Sequence, residues 1–175
     1  MKLRIKSTEK TILILGIYQI IGSILGFFLI AKLLLRTGDI NGAILLIYFI
    51  AVGLYSLSMK AGSVLIRKDY KRGLILSIIN QFFQVVAIAF GGYQFNYFSG
   101  AKLAAGFNFS NGFLMSIDFG IKSEFNLSWN SGSEYYLFIN VFAIFLIIVI
   151  FDIYEEIFKK NKDIIQEVKE DVAEE

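Results

Sequence analysis

Four long apolar runs constrain this chain more than any other feature of it. About 20 consecutive, mostly apolar residues are needed to cross roughly 30 Å of hydrocarbon, and residues 12–35, 40–59, 73–95 and 135–154 each reach that length. Backbone groups cannot be left unpaired in lipid, so such runs predict helices, whereas a transmembrane barrel would show shorter alternating segments. The expected fold is an all-α membrane protein: a four-transmembrane-helix bundle with a small antiparallel β meander in its second outer loop and a cytoplasmic C-terminal helix. Composition agrees, since 56% of the residues are hydrophobic against roughly 45–50% in soluble domains. The first run, TILILGIYQIIGSILGFF onward, follows a basic start as a secretory signal would. Its apolar stretch is too long for one and no A-x-A-like site follows, so it reads as a retained helix.

Orientation follows from lysine and arginine in the short connections. Residues 1–11 carry Lys2, Arg4, Lys6 and Lys10, and the connection between the second and third runs carries Arg67, Lys68, Lys71 and Arg72. Both therefore read as cytoplasmic, and the latter group also suits anionic lipid headgroups. The connection Arg36 to Asn41 is nearly neutral, and residues 96–134 hold only Lys102 and Lys122 against Asp118, Glu124 and Glu134, which places that loop outside. The termini are thus expected in the cytoplasm. Enrichment in Ile, Lys, Asn and Phe points to an AT-rich bacterial genome and a bacterial cytoplasmic (inner) membrane.

Within the outer loop the pattern changes from continuous runs to alternation with a period of two, the mark of half-buried strands. Leu103, Ala105, Phe107 and Phe109 share one face with Phe113, Met115, Ile117, Phe119 and Ile121 and with Phe125, Leu127 and Trp129. Lys102, Asn108, Ser116, Asp118, Glu124, Asn126 and Ser128 take the other, with Leu114 an exception. Asn111-Gly112 suits a two-residue turn and Lys122-Ser123 a second, giving a three-stranded meander. So small a sheet cannot cover its own apolar face. The helix ends, lipid or another protein must do so, with Phe107, Phe109, Phe119, Phe125 and Trp129 as candidate partner-binding residues, and the open strand edges could accept a partner strand.

No charged residue lies in the middle of a run, which argues against a proton relay, a voltage sensor or an ion-coupled pump. The polar groups there are amides: Gln19, Asn80, Gln81, Gln84 and Asn140. Asn80 and Gln84 share a helix face, and Gln81 sits about 100° round from it. Amides in membranes hydrogen-bond neighbouring helices, and the sharper alternative is a polar path for a solute. Gly22, Ser23 and Gly26 form a small-residue packing stripe of the G-x-x-x-G kind, with Gly16 on a neighbouring face.

Beyond the fourth run, Phe151, Tyr154, Phe158, Asn161, Ile165, Val168 and Val172 keep alternating spacings of three and four, the seam of a coiled coil. Phe158, Ile165, Val168 and Val172 are candidate partner-binding residues, although a solvated frayed helix fits as well. From Asp152 to Glu175 nine acidic residues face four lysines, a net charge of −5, so the tail suits a basic partner better than an anionic leaflet. Asp152, Glu155 and Glu156 cluster in one turn, which reads as an acidic helical stretch rather than a metal site. The chain has no histidine or cysteine, so the commonest base, the thiolate nucleophile and thiolate metal sites are absent. No catalytic residues, cofactor or metal are expected. The order of loops is similar to the tetraspanin layout, but that family's loop cysteines are missing and no residue carries over. The function expected is a non-enzymatic accessory or assembly subunit of a larger membrane complex. The alternative is a small oligomeric channel or permease lined by Gln19, Asn80, Gln84 and Asn140. Expected partners are membrane lipids and other membrane subunits, or the chain itself as a homo-oligomer, with no nucleic acid.

Overall fold

The computed structural model describes residues 7–110, 113–129 and 134–173, with side chains as far as Ile157. Its helices are α1 (Thr8–Arg36), α2 (Gly42–Ile66), α3 (Tyr70–Val85) and α4 (Val141–Ala173). Between α3 and α4 come four strands, β1 (Val86–Phe90), β2 (Tyr93–Asn108), β3 (Leu114–Trp129) and β4 (Tyr136–Asn140). The helices reverse through short, capped turns. Asn41 accepts a hydrogen bond from the Ile44 N–H at 2.9 Å to start α2, and Asp69 accepts one from the Arg72 N–H at 3.4 Å to start α3, each using one of the N–H groups that a helix start leaves over.

Small residues let α1 lie close to its neighbours. A Cβ on Gly16 would stand 3.1 Å from the Gly62 carbonyl oxygen of α2, Gly26 sits against the ring of Tyr55, and a Cβ on Gly22 would stand 2.7 Å from the Ser99 carbonyl of β2. Ser23 donates to its own helix at Ile20. The Gly22, Ser23, Gly26 stripe thus meets parts of the same chain. All four helices feed one buried cluster, Ile12 and Leu15 with Leu65, Leu74, Val149, Ile150 and Ile153. A second cluster joins helix to sheet through Ile30, Ala51, Tyr55 and Tyr97.

The expected four-transmembrane-helix bundle does not form. Among the described residues two helices, α1 and α2, are long and apolar enough to cross a membrane. The expected third span, 73–95, leaves the helix after Val85, and the expected fourth, 135–154, begins as β4 and turns helical only at Val141. Both differ from the expectation for the same reason: hydropathy averages over a window and is blind to period. In β1, Ala87 and Ala89 are buried while Val86, Ile88 and Phe90 are exposed, a strand's alternation written in apolar residues on both faces. Gly91 and Gly92 then take φ of 60° and 85° and link Phe90 to its partner Tyr93. Positive φ at both central residues is what a tight hairpin turn requires.

The meander also differs. Instead of three short strands there are two of 16 residues each, paired without interruption from Tyr93↔Trp129 to Asn108↔Leu114. No turn occurs at Lys122-Ser123, which pair with Gly100 and Ser99. The Asn111-Gly112 turn lies outside the described residues. Apolar parity is matched across the ladder, with Leu103 opposite Phe119, Ala105 opposite Ile117 and Tyr97 opposite Phe125.

The sheet runs β1-β4-β2-β3 and closes through a further β1–β2 pairing. β1, β4 and β2 are each antiparallel to the other two, which three straight strands cannot satisfy. β2 takes up the reversal, pairing with β1 at Phe95 and with β4 from Ala104. Gly100, at φ 107°, sits between the two halves, in a region that favours glycine.

Candidate functional site

Closing the sheet wraps its polar face around a cavity of about 530 Å³. Gln94, Asn96, Lys102, Asn108, Asp118 and Glu124 are among its lining residues. Strand alternation puts them there, since β2 and β3 send their even-numbered side chains inward and their odd-numbered ones outward. Lys102 is 5% exposed. Its ammonium stands 2.6 Å from Asp118 and 3.5 Å from Glu124, and 4.2 Å from the centre of the Phe98 ring beneath it. A buried cation needs such partners, because desolvation without them is costly. Lys122 adds a second contact to Glu124 at 3.2 Å, and Asn96 donates to the same carboxylate at 2.7 Å. The hydrogen bond from Lys102 holds the Asp118 carboxyl below its ordinary value, against the opposing effect of burial. Burial pushes the Tyr136 phenol up, partly offset by its hydrogen bond with Gln94. Every ionised group at the centre of this cavity is paired. Its described lining presents acceptors and a held charge.

A second polar system joins the helices to the sheet. Between its pairings with β1 and β4, the outer edge of β2 is served by side chains instead of a strand. The N–H groups of Ser99, Ala101 and Leu103 donate to Gln84 Oε1 at 2.8 Å, Tyr18 Oη at 3.2 Å and Asn140 Oδ1 at 3.2 Å. Behind them Gln19 donates to Ser77 at 2.8 Å, Asn80 to Ser58 at 3.3 Å and Tyr97 to Asn80 at 3.1 Å. All five expected amides are buried. Four of them serve this lattice, which binds β2 as well as neighbouring helices. Gln81 does not: neither of its amide atoms has a hydrogen-bond partner, and the same holds for Nδ2 of Asn140 and Oδ1 of Asn96.

The aromatic residues of the outer loop are divided. Phe125 packs beside the Ile30, Ala51, Tyr55, Tyr97 cluster, whereas Phe107, Phe109, Phe119 and Trp129 are exposed. Phe158, Ile165, Val168 and Val172 lie on the helical course of α4, and their side chains are outside the described residues. Among those residues no group of three His, Cys, Asp or Glu could hold a metal ion. The tyrosines and serines of the lattice were not singled out in the sequence. A polar residue recurring beside the amides, as Tyr18 is beside Gln19 and Ser77 near Asn80, is the signal that could have found them. No protein-family model matches this chain, and no curated protein or solved structure matches it either.

Proposed function

We propose that the chain is an integral membrane protein of a bacterial cytoplasmic membrane that acts, without chemistry of its own, as an accessory or assembly subunit of a larger membrane complex. The observation that carries this reading is an apolar exterior on helix and sheet alike. Ile14, Ile21, Phe28 and Phe49 are exposed on α1 and α2, and Phe90, Met115, Ile117, Phe119 and Ile121 on the sheet. Monomeric soluble proteins rarely leave contiguous apolar patches larger than a few hundred Å². The charged groups face the cavity side instead, so the sheet is apolar outside and polar within, as in a protein whose solvent is lipid. The amides that a solute path would need are spent on hydrogen bonds to β2 and between helices. In this reading the start of α1 and the α2–α3 turn, with Lys10, Arg67 and Lys68, face the cytoplasm.

The chain has no cysteine, so single introduced thiols report cleanly. Ser7→Cys should be silent and Gly38→Cys, in open space between α1 and α2, should be labelled by an impermeant reagent in intact cells. The protein should pellet with membranes, need detergent for release and leave mild detergent with stoichiometric companions. Recovery as a lone monomer without detergent would end this proposal.

A further inference from the structure

We infer that the free edge of β3 is a self-association site at which two copies of this chain pair antiparallel about Gly120. The inference rests on the membrane reading above and adds the partner's identity and register. β3 is the terminal strand of the sheet, bonded to β2 alone. The N–H groups of Ser99, Ala101 and Leu103 point away from β3, toward Gln84, Tyr18 and Asn140. The β2–β3 ladder therefore uses even-numbered residues, and the odd-numbered residues of β3 turn their backbone groups outward. Among the described residues no strand pairs with that edge, and no backbone hydrogen bond reaches Met115, Ile117, Phe119 or Ile121. An open strand edge does not persist against hydrocarbon, where no water can serve it.

The residues around Gly120 say what fits. Asp118-Phe119-Gly120-Ile121-Lys122 reads as a palindrome of charge: apolar residues flank the glycine and opposite charges flank those. In a two-fold antiparallel pair centred on Gly120, Asp118 stands opposite the partner's Lys122 and Phe119 opposite the partner's Ile121, twice over by symmetry. Centring on Asp118 or Lys122 would oppose like charges, centring on Phe119 would set Asp118 opposite glycine and Lys122 opposite Ser116, and centring on Ile121 would set Asp118 opposite Glu124. The segment is also uncovered. Phe119 and Ile121 are 73% and 79% exposed, the side chains of Asp118 and Lys122 42% and 49%, and a Cβ on Gly120 would meet nothing nearer than the Lys122 side chain at 4.0 Å. A second copy supplies an edge of the same length, the same apolar face and the complementary charges.

The test uses full-length protein in native membranes under mild oxidation. With no native cysteine, any disulfide is between copies. Facing residues of a non-hydrogen-bonded pair lie about 4.5 Å apart at Cα, within disulfide reach, so Gly120→Cys should give covalent dimer. Asp118→Cys alone should not, because its own counterpart is four residues away, about 13 Å along the strands. Coexpressed Asp118→Cys and Lys122→Cys chains should link to each other, which keeps the register testable if Gly120→Cys folds poorly. Phe119→Pro, which removes one outward N–H that β2 does not use, should lower the Gly120→Cys yield about tenfold. Equal cross-linking of Gly120→Cys and Asp118→Cys, or none at either Gly120 or the mixed pair, overturns the inference. So does a yield unchanged by Phe119→Pro. Membrane-bound protein with no cross-link defeats the edge alone. Protein released without detergent defeats the membrane reading, and the cross-linking comparison then still decides the edge.

Discussion

Along the β2–β3 hairpin one alternation passes through two halves with opposite fates. In the half nearer the helices, the outward face of Tyr97, Ser99, Ser123 and Phe125 is pressed on α1 and α2. The Tyr97 hydroxyl lies 3.0 Å from the Leu54 carbonyl oxygen, Ser123 donates to the Gly22 carbonyl at 2.7 Å, and Phe125 packs beside Tyr55. In the far half, the same face carries Met115, Ile117, Phe119 and Ile121 with nothing from the described chain over them. Strand alternation sorts side chains to one face or the other, but burial of that face depends on what lies across from it. Here the difference is set by α1: Gly22 and Gly26 remove side-chain volume where the sheet and α2 must approach, whereas Gly106 of the far half makes room for β4 and not for a helix.

The strongest way to break this comparison is to fill the gap. Gly26→Leu drives a side chain into the fully buried ring of Tyr55, which is itself wedged 5.3 Å from Tyr97. Overpacking of that kind costs about 3 kcal/mol or more, so the melting temperature in detergent micelles should fall sharply or the protein should fail to accumulate. Gly120→Leu, in open space on the far half, should shift the folding stability of the single chain by no more than about 0.5 kcal/mol. Similar losses from the two substitutions would mean that the far half is as tightly packed as the near one.

What was legible in the sequence follows the same division. The two long helices and the parity of the hairpin could be read, because each rests on one local period: Leu103, Phe107, Phe119 and Phe125 share a face whatever the rest of the chain does. The turn at Gly91-Gly92 was equally local, yet it was hidden inside the 73–95 run, directly after the wholly apolar stretch from Val85 to Phe90. β1 and β4 could not be separated from membrane helices by composition: β1 has small apolar residues inside and large ones outside, and β4, whose Tyr136 and Phe138 line the cavity, runs directly into the apolar start of α4. The cavity was less legible still. Its polar lining was visible as the alternate face, but its closure depends on Val86↔Ile139 and Ala105↔Ile139 pairings between segments far apart in sequence.

A smaller effect sharpens the contrast by deleting one aromatic ring from each half. Phe125→Ala removes a ring from the cluster with Ile30, Tyr55 and Tyr97, and a partly buried ring of this kind should cost about 2 to 3 kcal/mol. Phe119→Ala removes one that is 73% exposed and should leave the folding of the single chain within about 0.5 kcal/mol of the original. Thermal melts of both variants, taken at the same protein concentration, give the comparison directly. If Phe119→Ala were the more damaging, the far half would contribute to the fold of the monomer and the division drawn here would be wrong.

The smallest effect comes from the cavity side of the far half, where Asp118 and Lys102 meet. The Asp118 carboxyl is held below its ordinary value of 3.8, chiefly by the hydrogen bond from Lys102. A carboxyl depressed in the folded state adds stability that is present above its unfolded value and is lost as pH falls through the folded one. Melting temperature should therefore be level above about pH 5 and decline below about pH 4, in the window set by that carboxyl. The contribution is modest because the Asp118 side chain is 42% exposed and water screens the pair. Other carboxylates titrate in the same range, so the informative quantity is the difference between the original protein and Lys102→Met. Without the ammonium the Asp118 value should return toward or above the ordinary one, and the part of the acid limb that belongs to this pair should vanish. The same part should be missing from Asp118→Asn. If both variants keep the full acid limb of the original, the ion pair contributes nothing to the pH dependence, and the polar lining of the far half is held together by its neutral hydrogen bonds.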